Sequence, residues 1–214
     1  MKTTNNRVLT VLAVLAASAL VAGSDNSTRA ETRAPIVKVL KSNDMTDATA
    51  SVEKRDLVIT RVFDAPIELV WKAWTDPEYV MRWWGPRGFT SPSCKIDFRE
   101  GGKFVFHMRA PKDFQGGQDF YTSGVYKKIM PMKLIEFSQG LSDKDGNRID
   151  PTTMGMPADF PKEIPSALAF KRIGNKTELT ATEYGWTVGQ MREMSEAGLS
   201  QCLDKLAEVL AKHK

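Results

Sequence analysis

Residues 64–86 read Asp-Ala-Pro-Ile-Glu-Leu-Val-Trp-Lys-Ala-Trp-Thr-Asp-Pro-Glu-Tyr-Val-Met-Arg-Trp-Trp-Gly-Pro and hold four of the five tryptophans of a 214-residue chain. They follow a strand-like run, Leu57 to Phe63, and precede a Gly101-Gly102 turn. Pro66 suits a first helical position and Glu68 the favoured first turn, where a carboxylate meets the positive end of the helix. Leu69, Val70, Ala73 and Trp74 form an i, i+4 apolar stripe with Trp71 beside it. Asp76 and Pro77 then read as the N-cap and N1 of a second helix, which Gly85-Pro86 stops. Two short helices with this much indole constrain the architecture far more than they suggest any reaction.

Beyond them the pattern changes period. Cys94, Ile96 and Phe98 share one strand face; after the glycine pair, Phe104, Phe106 and Met108 share the next. Residues 121–129 and 134–141 make a second hairpin about Met130-Pro131-Met132. Residues 167–173 and 178–184 make a third about Gly174-Asn175. Residues 142–165 form a long insertion, of a length that is usually functional or mobile. The chain ends in one long helix, roughly 188–212, with Met191, Met194, Gly198, Cys202, Leu206 and Val209 on one side. The order is strand, two short helices, about six strands and a long helix. It predicts an α+β fold in which a bent antiparallel sheet of six or seven strands grips the terminal helix.

The amino terminus has another character. Lys2 and Arg7 precede an apolar run from Val8 to Ala22, broken only by Thr10 and Ser18. As a helix it would span roughly 22 Å, short of a hydrocarbon core of about 30 Å. An export signal over residues 1–23 fits better than a membrane anchor, although an uncleaved leader would tether the protein to a membrane. Leu20-Val21-Ala22-Gly23 resembles the start of a lipobox, but Ser24 stands where a lipidated cysteine would be. Residues 24–54 are polar and aperiodic, a flexible linker. The folded domain is then 55–214, and the protein is expected in the periplasm or outside the cell.

Composition excludes more than it selects. The formal charge is +4, and without the leader 28 basic residues face 26 acidic ones. No basic cluster appears, so no nucleic-acid partner is expected. Two histidines and two cysteines lie too far apart for zinc-type spacing, and no phosphate loop or nucleophile elbow occurs. No cofactor or metal is expected. Ten methionines would interest a copper reading, but Met154 and Met156 have no His or Cys beside them, and Met191 and Met194 sit on an apolar stripe. Cys94 and Cys202 fall on interior faces, so two buried thiols are expected rather than a disulfide. His107 alternates with Phe106 and Met108, which points it outward as a surface histidine. Trp83 and Trp84 either pack the short helices onto the sheet or rim a pocket. Asp97, Arg99 and Glu100 are expected to hold the Gly-Gly turn.

Several segments together carry a family resemblance: 59–66 (Ile-Thr-Arg-Val-Phe-Asp-Ala-Pro), 70–77 (Val-Trp-Lys-Ala-Trp-Thr-Asp-Pro), 82–86 (Arg-Trp-Trp-Gly-Pro), 96–102 (Ile-Asp-Phe-Arg-Glu-Gly-Gly), 124–126 (Gly-Val-Tyr), 174–180 (Gly-Asn-Lys-Thr-Glu-Leu-Thr) and 203–207 (Leu-Asp-Lys-Leu-Ala). The chain resembles the activator of heat-shock-protein-90 ATPase homologues, within the START-like, or SRPBCC, helix-grip superfamily. That superfamily shares a hydrophobic cavity rather than a reaction. The resemblance therefore implies a small apolar or amphipathic ligand, bound without turnover by Trp84, Phe89, Phe104, Phe106, Met108, Tyr126, Phe137, Met191 and Met194. It also implies two alternatives: a co-activator of a chaperone ATPase, against which the export leader argues, and a cyclase- or aromatase-like enzyme, which would need a polar constellation inside the cavity. The usual Gly-Trp pair near Gly198-Leu199 is missing, and Trp186 sits earlier.

Overall fold

A computed structural model describes residues 53–212. The proposed leader and all but the last two residues of the proposed linker lie outside the described residues. Seven antiparallel strands form one sheet in the order β1-β7-β6-β5-β4-β3-β2. They are β1 (Lys54–Phe63), β2 (Cys94–Ile96), β3 (Lys103–Arg109), β4 (Asp119–Met130), β5 (Leu134–Ser142), β6 (Ile164–Ile173) and β7 (Lys176–Thr187). Two short helices, α1 (Ile67–Thr75) and α2 (Pro77–Trp83), follow β1, and α3 (Gln190–Ala211) closes the chain. This is the helix-grip, α+β arrangement, with the curved sheet wrapped around the terminal helix.

The three hairpins turn where glycine and proline were expected to turn them. In β2–β3, Ile96 pairs with Phe104 across the glycine pair. Arg99 and Asp97 pair at 2.9 Å, and Glu100 Oε1 accepts the Ile129 amide at 2.9 Å, so these charged residues do hold that turn. Asp76 caps α2 by accepting the Glu78 amide at 2.9 Å, satisfying one of the donors a helix start leaves open.

The short helices bury the apolar face that the sequence pattern marks: Ile67, Val70, Trp71, Ala73 and Trp74 from α1, Val80 and Trp83 from α2. Trp83 is fully buried and donates its indole N–H to the Ala73 carbonyl at 2.9 Å, joining α2 to α1. Helix α3 buries Leu203, Leu206 and Leu210 against the same core; each contributes roughly 1.5–3 kcal/mol through apolar burial. Polar contacts then fix the turn after α2 onto α3. Lys205 Nζ donates to the carbonyls of Gly85 at 2.8 Å and Phe89 at 2.9 Å, and the Arg87 amide donates to Gln201 Oε1 at 3.0 Å. Trp84 is thereby set at one end of the concave face.

Candidate functional site

Between α3 and the concave face lies a recess of about 150 Å³. Its walls are mainly apolar: Trp84, Met108, Leu141, Phe160, Trp186 and Leu199 stand among them. The segment between β5 and β6 supplies part of the wall. It carries a short 3-10 turn, Pro151–Met154, and sends Met154, Met156 and Phe160 into the recess. A second recess of about 30 Å³ shares Trp84, Gln139, Glu183 and Leu199 with the first.

Where the two recesses meet stands a polar group that apolar patterning did not suggest. Glu183 lies on β7 in phase with Thr177, Leu179 and Ala181, all buried, so alternation turns it to the concave face. Gln139 Nε2 on β5 donates to its Oε1 at 3.0 Å. Trp186 Nε1 donates to its Oε2 at 2.9 Å, and Ser195 Oγ on α3 lies 3.3 Å from the same oxygen. Gln139 Nε2 also donates to Ser166 Oγ on β6 at 3.2 Å. Burial pushes the Glu183 carboxyl up, against the pull of these three hydrogen bonds.

A bulge makes this cluster possible. Residues three apart on a regular strand face opposite sides, yet Glu183 and Trp186 both face inward. The β1–β7 register shows why: Leu57 pairs with Glu183 and Arg55 with Trp186, so β7 holds one extra residue. Gly185 takes it up at φ +73°, a conformation that costs a side chain dearly and glycine little, and its amide donates to Asp56 Oδ1 at 2.9 Å.

The nine residues expected to bind a ligand separate into four groups. Trp84 and Met108 line the larger recess. Phe106 and Phe137 line the smaller one, beside Trp84. Phe104, Tyr126, Met191 and Met194 are buried in the main core and line neither, while Phe89 packs with Ala110 and Phe120 in a second apolar cluster. The two tryptophans in question divide the readings offered for them: Trp83 is core and Trp84 is rim. The expected binding set holds only aromatic side chains and methionines; the recess also presents Glu183, Gln139 and Ser195. The strand phase of Glu183 and the glycine inside β7 were the signals for them.

Cys94 and Cys202 are both free, as expected. Cys202 lines the larger recess, and burial pushes its thiol up to about 12, so it is a neutral packing group rather than a nucleophile.

His107 does face away from the recess, but it is 4% exposed and not a surface residue. The Thr90–Arg109 bridge brings residues 90–93 alongside β3. Ser93 Oγ is 2.9 Å from Nδ1, Tyr121 stacks on the ring at 4.4 Å, and Nε2 lies 2.9 Å from Asp119 Oδ1. These are the residue types of a Ser-His-Asp triad, yet the carboxylate belongs first to Arg109, which donates to both its oxygens at 2.6 and 3.0 Å and holds Asp119 down to about 2. Neither recess reaches this cluster. It pins the outer faces of β3 and β4 together.

The fold, the gripped helix and the recess define a START-like helix-grip domain. Residues 64–211 match the family model described as activator of Hsp90 ATPase homolog 1-like protein, and the chain belongs to that family. Among solved structures it is similar to the AHSA1 protein from Silicibacter pomeroyi at 23% identity, TM-score 0.60, covering 75% of this chain and 100% of that one. It is also similar to the AHSA1-like protein from Aeromonas hydrophila at 21% identity, TM-score 0.55, covering 74% and 94%. A protein from Nitrosomonas europaea matches at 23% identity, TM-score 0.57, covering 74% and 95%. At these identities the likeness is one of fold. No curated protein matches the chain.

Proposed function

We propose that this protein is an exported carrier or sensor of a small, largely apolar molecule, held in the recess between α3 and the sheet without being turned over. The observation that carries the reading is the recess itself: about 150 Å³, walled by tryptophan, methionine, leucine and phenylalanine, with one polar cluster at its inner end. A cavity of that size accepts a single aromatic ring, and sites with apolar walls and a few convergent polar groups are the usual form of small-ligand sites. Export rests on the leader-like residues 1–23. The family's name points instead to chaperone activation; the same leader weighs against it, since a chaperone ATPase needs cytosolic ATP.

A second reading has one observation in its favour. A carboxyl raised by burial and set beside an apolar cavity is suited to giving and taking protons, so an acid-base enzyme acting through Glu183 is the alternative. Displacement of an environment-sensitive dye by single-ring aromatics tests the binding reading. Gly198, on α3, lines the recess, and Gly198→Phe should fill it and abolish displacement with the far-UV spectrum unchanged. Equal binding by wild type and variant would place the ligand elsewhere. Turnover of any bound compound, lost in Glu183→Gln, would favour the enzyme.

A further inference from the structure

Glu183 sits in an unusual electrostatic position. Three donors from three different elements converge on its carboxylate, an arrangement that favours the charged form. Burial opposes that charge. Among the described residues no Lys, Arg or His pairs with it. On the facing helix, Arg192 donates to Glu196 Oε2 at 3.1 Å and to the Asp56 carbonyl at 2.8 Å, and Lys205 spends its ammonium on the carbonyls of Gly85 and Phe89. Among the described residues Glu183 is the one charged side chain lining the larger recess. Glu183 is half-buried, its exposed part facing the recess, and a carboxylate so withdrawn from water is normally paired. Among the described residues that partner is missing, and the open side of the group is the recess.

From this we infer that the recess takes a small organic cation, an amine borne on a single ring or short apolar chain, with its ammonium paired to Glu183. The inference rests on the ligand-binding reading above. A carboxylate offers about four acceptor sites. Gln139, Trp186 and Ser195 fill three, and the recess offers the remaining one. An ammonium there makes a charge-assisted hydrogen bond and supplies the missing counter-charge. The indoles of Trp84 and Trp186, both on the recess wall, add faces that attract a cation. A metal ion does not suit the site, because the recess supplies one carboxylate and a thiol pushed up to about 12, and no cluster of three metal-type ligands occurs among the described residues. A neutral alcohol satisfies the hydrogen bond without the charge, and a carboxylic acid anion is repelled.

The pH behaviour follows. The titratable groups facing the recess are Glu183 from β7 and Cys202 from α3; the thiol stays neutral until about pH 12, and Gln139, Ser166, Trp186 and Ser195 do not titrate. Amine affinity therefore rises with pH as Glu183 ionises, and below that point each binding event expels one proton from the carboxyl. When Glu183 is protonated, its O–H needs an acceptor, and rotation of the Gln139 amide supplies one.

The test is calorimetry and dye displacement with benzylamine, benzyl alcohol and benzoate. The expected result is benzylamine tightest, benzyl alcohol roughly tenfold to a hundredfold weaker, as for loss of one charged hydrogen bond, and benzoate undetectable. Glu183→Gln should bring benzylamine down to the level of benzyl alcohol. If that variant misfolds, the wild type still decides the matter: benzylamine affinity must climb with pH below the amine's own deprotonation while benzyl alcohol affinity stays flat. Equal affinity for benzylamine and benzyl alcohol at every pH overturns the cationic ligand and leaves the apolar recess standing. Failure of all three and of toluene to bind overturns both.

Discussion

The same added methyl group should have opposite effects at two glycines. Gly124 on β4 pairs with Phe104 on β3, whose ring lies across it. A Cβ placed there would stand 2.2 Å from Phe104 Cζ, 2.4 Å from Cε1 and 2.5 Å from the Ser138 carbonyl oxygen. Phe104 is 1% exposed and wedged among Phe106, Tyr126 and Phe137, so its ring has nowhere to go, and the carbonyl belongs to the neighbouring strand. Overpacking of this kind costs about 1–3 kcal/mol, and the double clash places Gly124→Ala at the upper end. Gly198 is the contrast: it lies inside α3, and a Cβ there would meet only Pro86 Cγ at 3.8 Å, an ordinary contact. Gly198→Ala should stabilise by about 0.5–1 kcal/mol, because glycine wastes helix entropy. For a domain of this size about 1 kcal/mol moves Tm by roughly 2–4 °C. Thermal unfolding should thus show Gly124→Ala melting about 4–12 °C below wild type and Gly198→Ala up to about 4 °C above it. Shifts of the same sign, or no shift at Gly124, would refute the packing assigned to the Phe104 face.

Leu203 and Leu206, both essentially without exposure on α3, should each cost roughly 2–5 kcal/mol when cut to alanine, read as a lower urea midpoint with unchanged slope. Glu183 should mark the pH dependence of stability. Its carboxyl is held above the ordinary 4.5 in the folded state, so the folded chain binds that proton more tightly than the unfolded chain. The contribution is fully present below about pH 4.5 and is lost as pH rises through the folded-state value. Glu183→Gln should accordingly gain on wild type across that window, and a constant difference in urea titrations from pH 4 to 8 would contradict it. Asp119 runs the other way. Arg109 holds it at about 2 against an ordinary 3.8, so its contribution is present above about pH 4 and disappears as pH falls toward 2; Asp119→Asn should flatten that acid limb of the stability profile.

Much of the fold is local information. The turns at Gly101-Gly102, Met130-Pro131-Met132 and Gly174-Asn175 depend on residues that bend the chain, and the Asp76-Pro77 helix start depends on a cap that needs only its own neighbours. Hairpins joined by short turns then dictate which strands pair, which leaves few ways to arrange a sheet around one long apolar-striped helix. The burial of His107 was not legible in this way. Strand alternation does give its outward direction, but its cover comes from residues 90–93, brought alongside by a bridge between Thr90 and Arg109 that no local pattern announces. The same holds for the wall that Met154, Met156 and Phe160 build: an insertion without periodicity gives no sign of the surface it will cover.

The candidate site divides along the same line. Choosing residues by apolar type selects Phe104, Tyr126, Met191 and Met194, which the core consumes, because a helix-grip domain needs most of its aromatic side chains simply to hold sheet and helix together. What is left facing the recess is then set by strand phase rather than by hydrophobicity. Phase alone places Glu183 inside, in step with Leu179 and Ala181. An acidic residue on an inward face is the conflict between local composition and global position that marks a functional site more often than a structural one. The pairing of Glu183 with Trp186 is a step further removed, since it requires β7 to carry an extra residue at Gly185 while β1 does not. A single glycine within a strand is a weak signal for such a bulge. Joined to an in-phase glutamate two residues before it and a tryptophan immediately after, it becomes a specific one: the bulge turns the indole to the same face as the carboxylate, and the recess acquires its polar end.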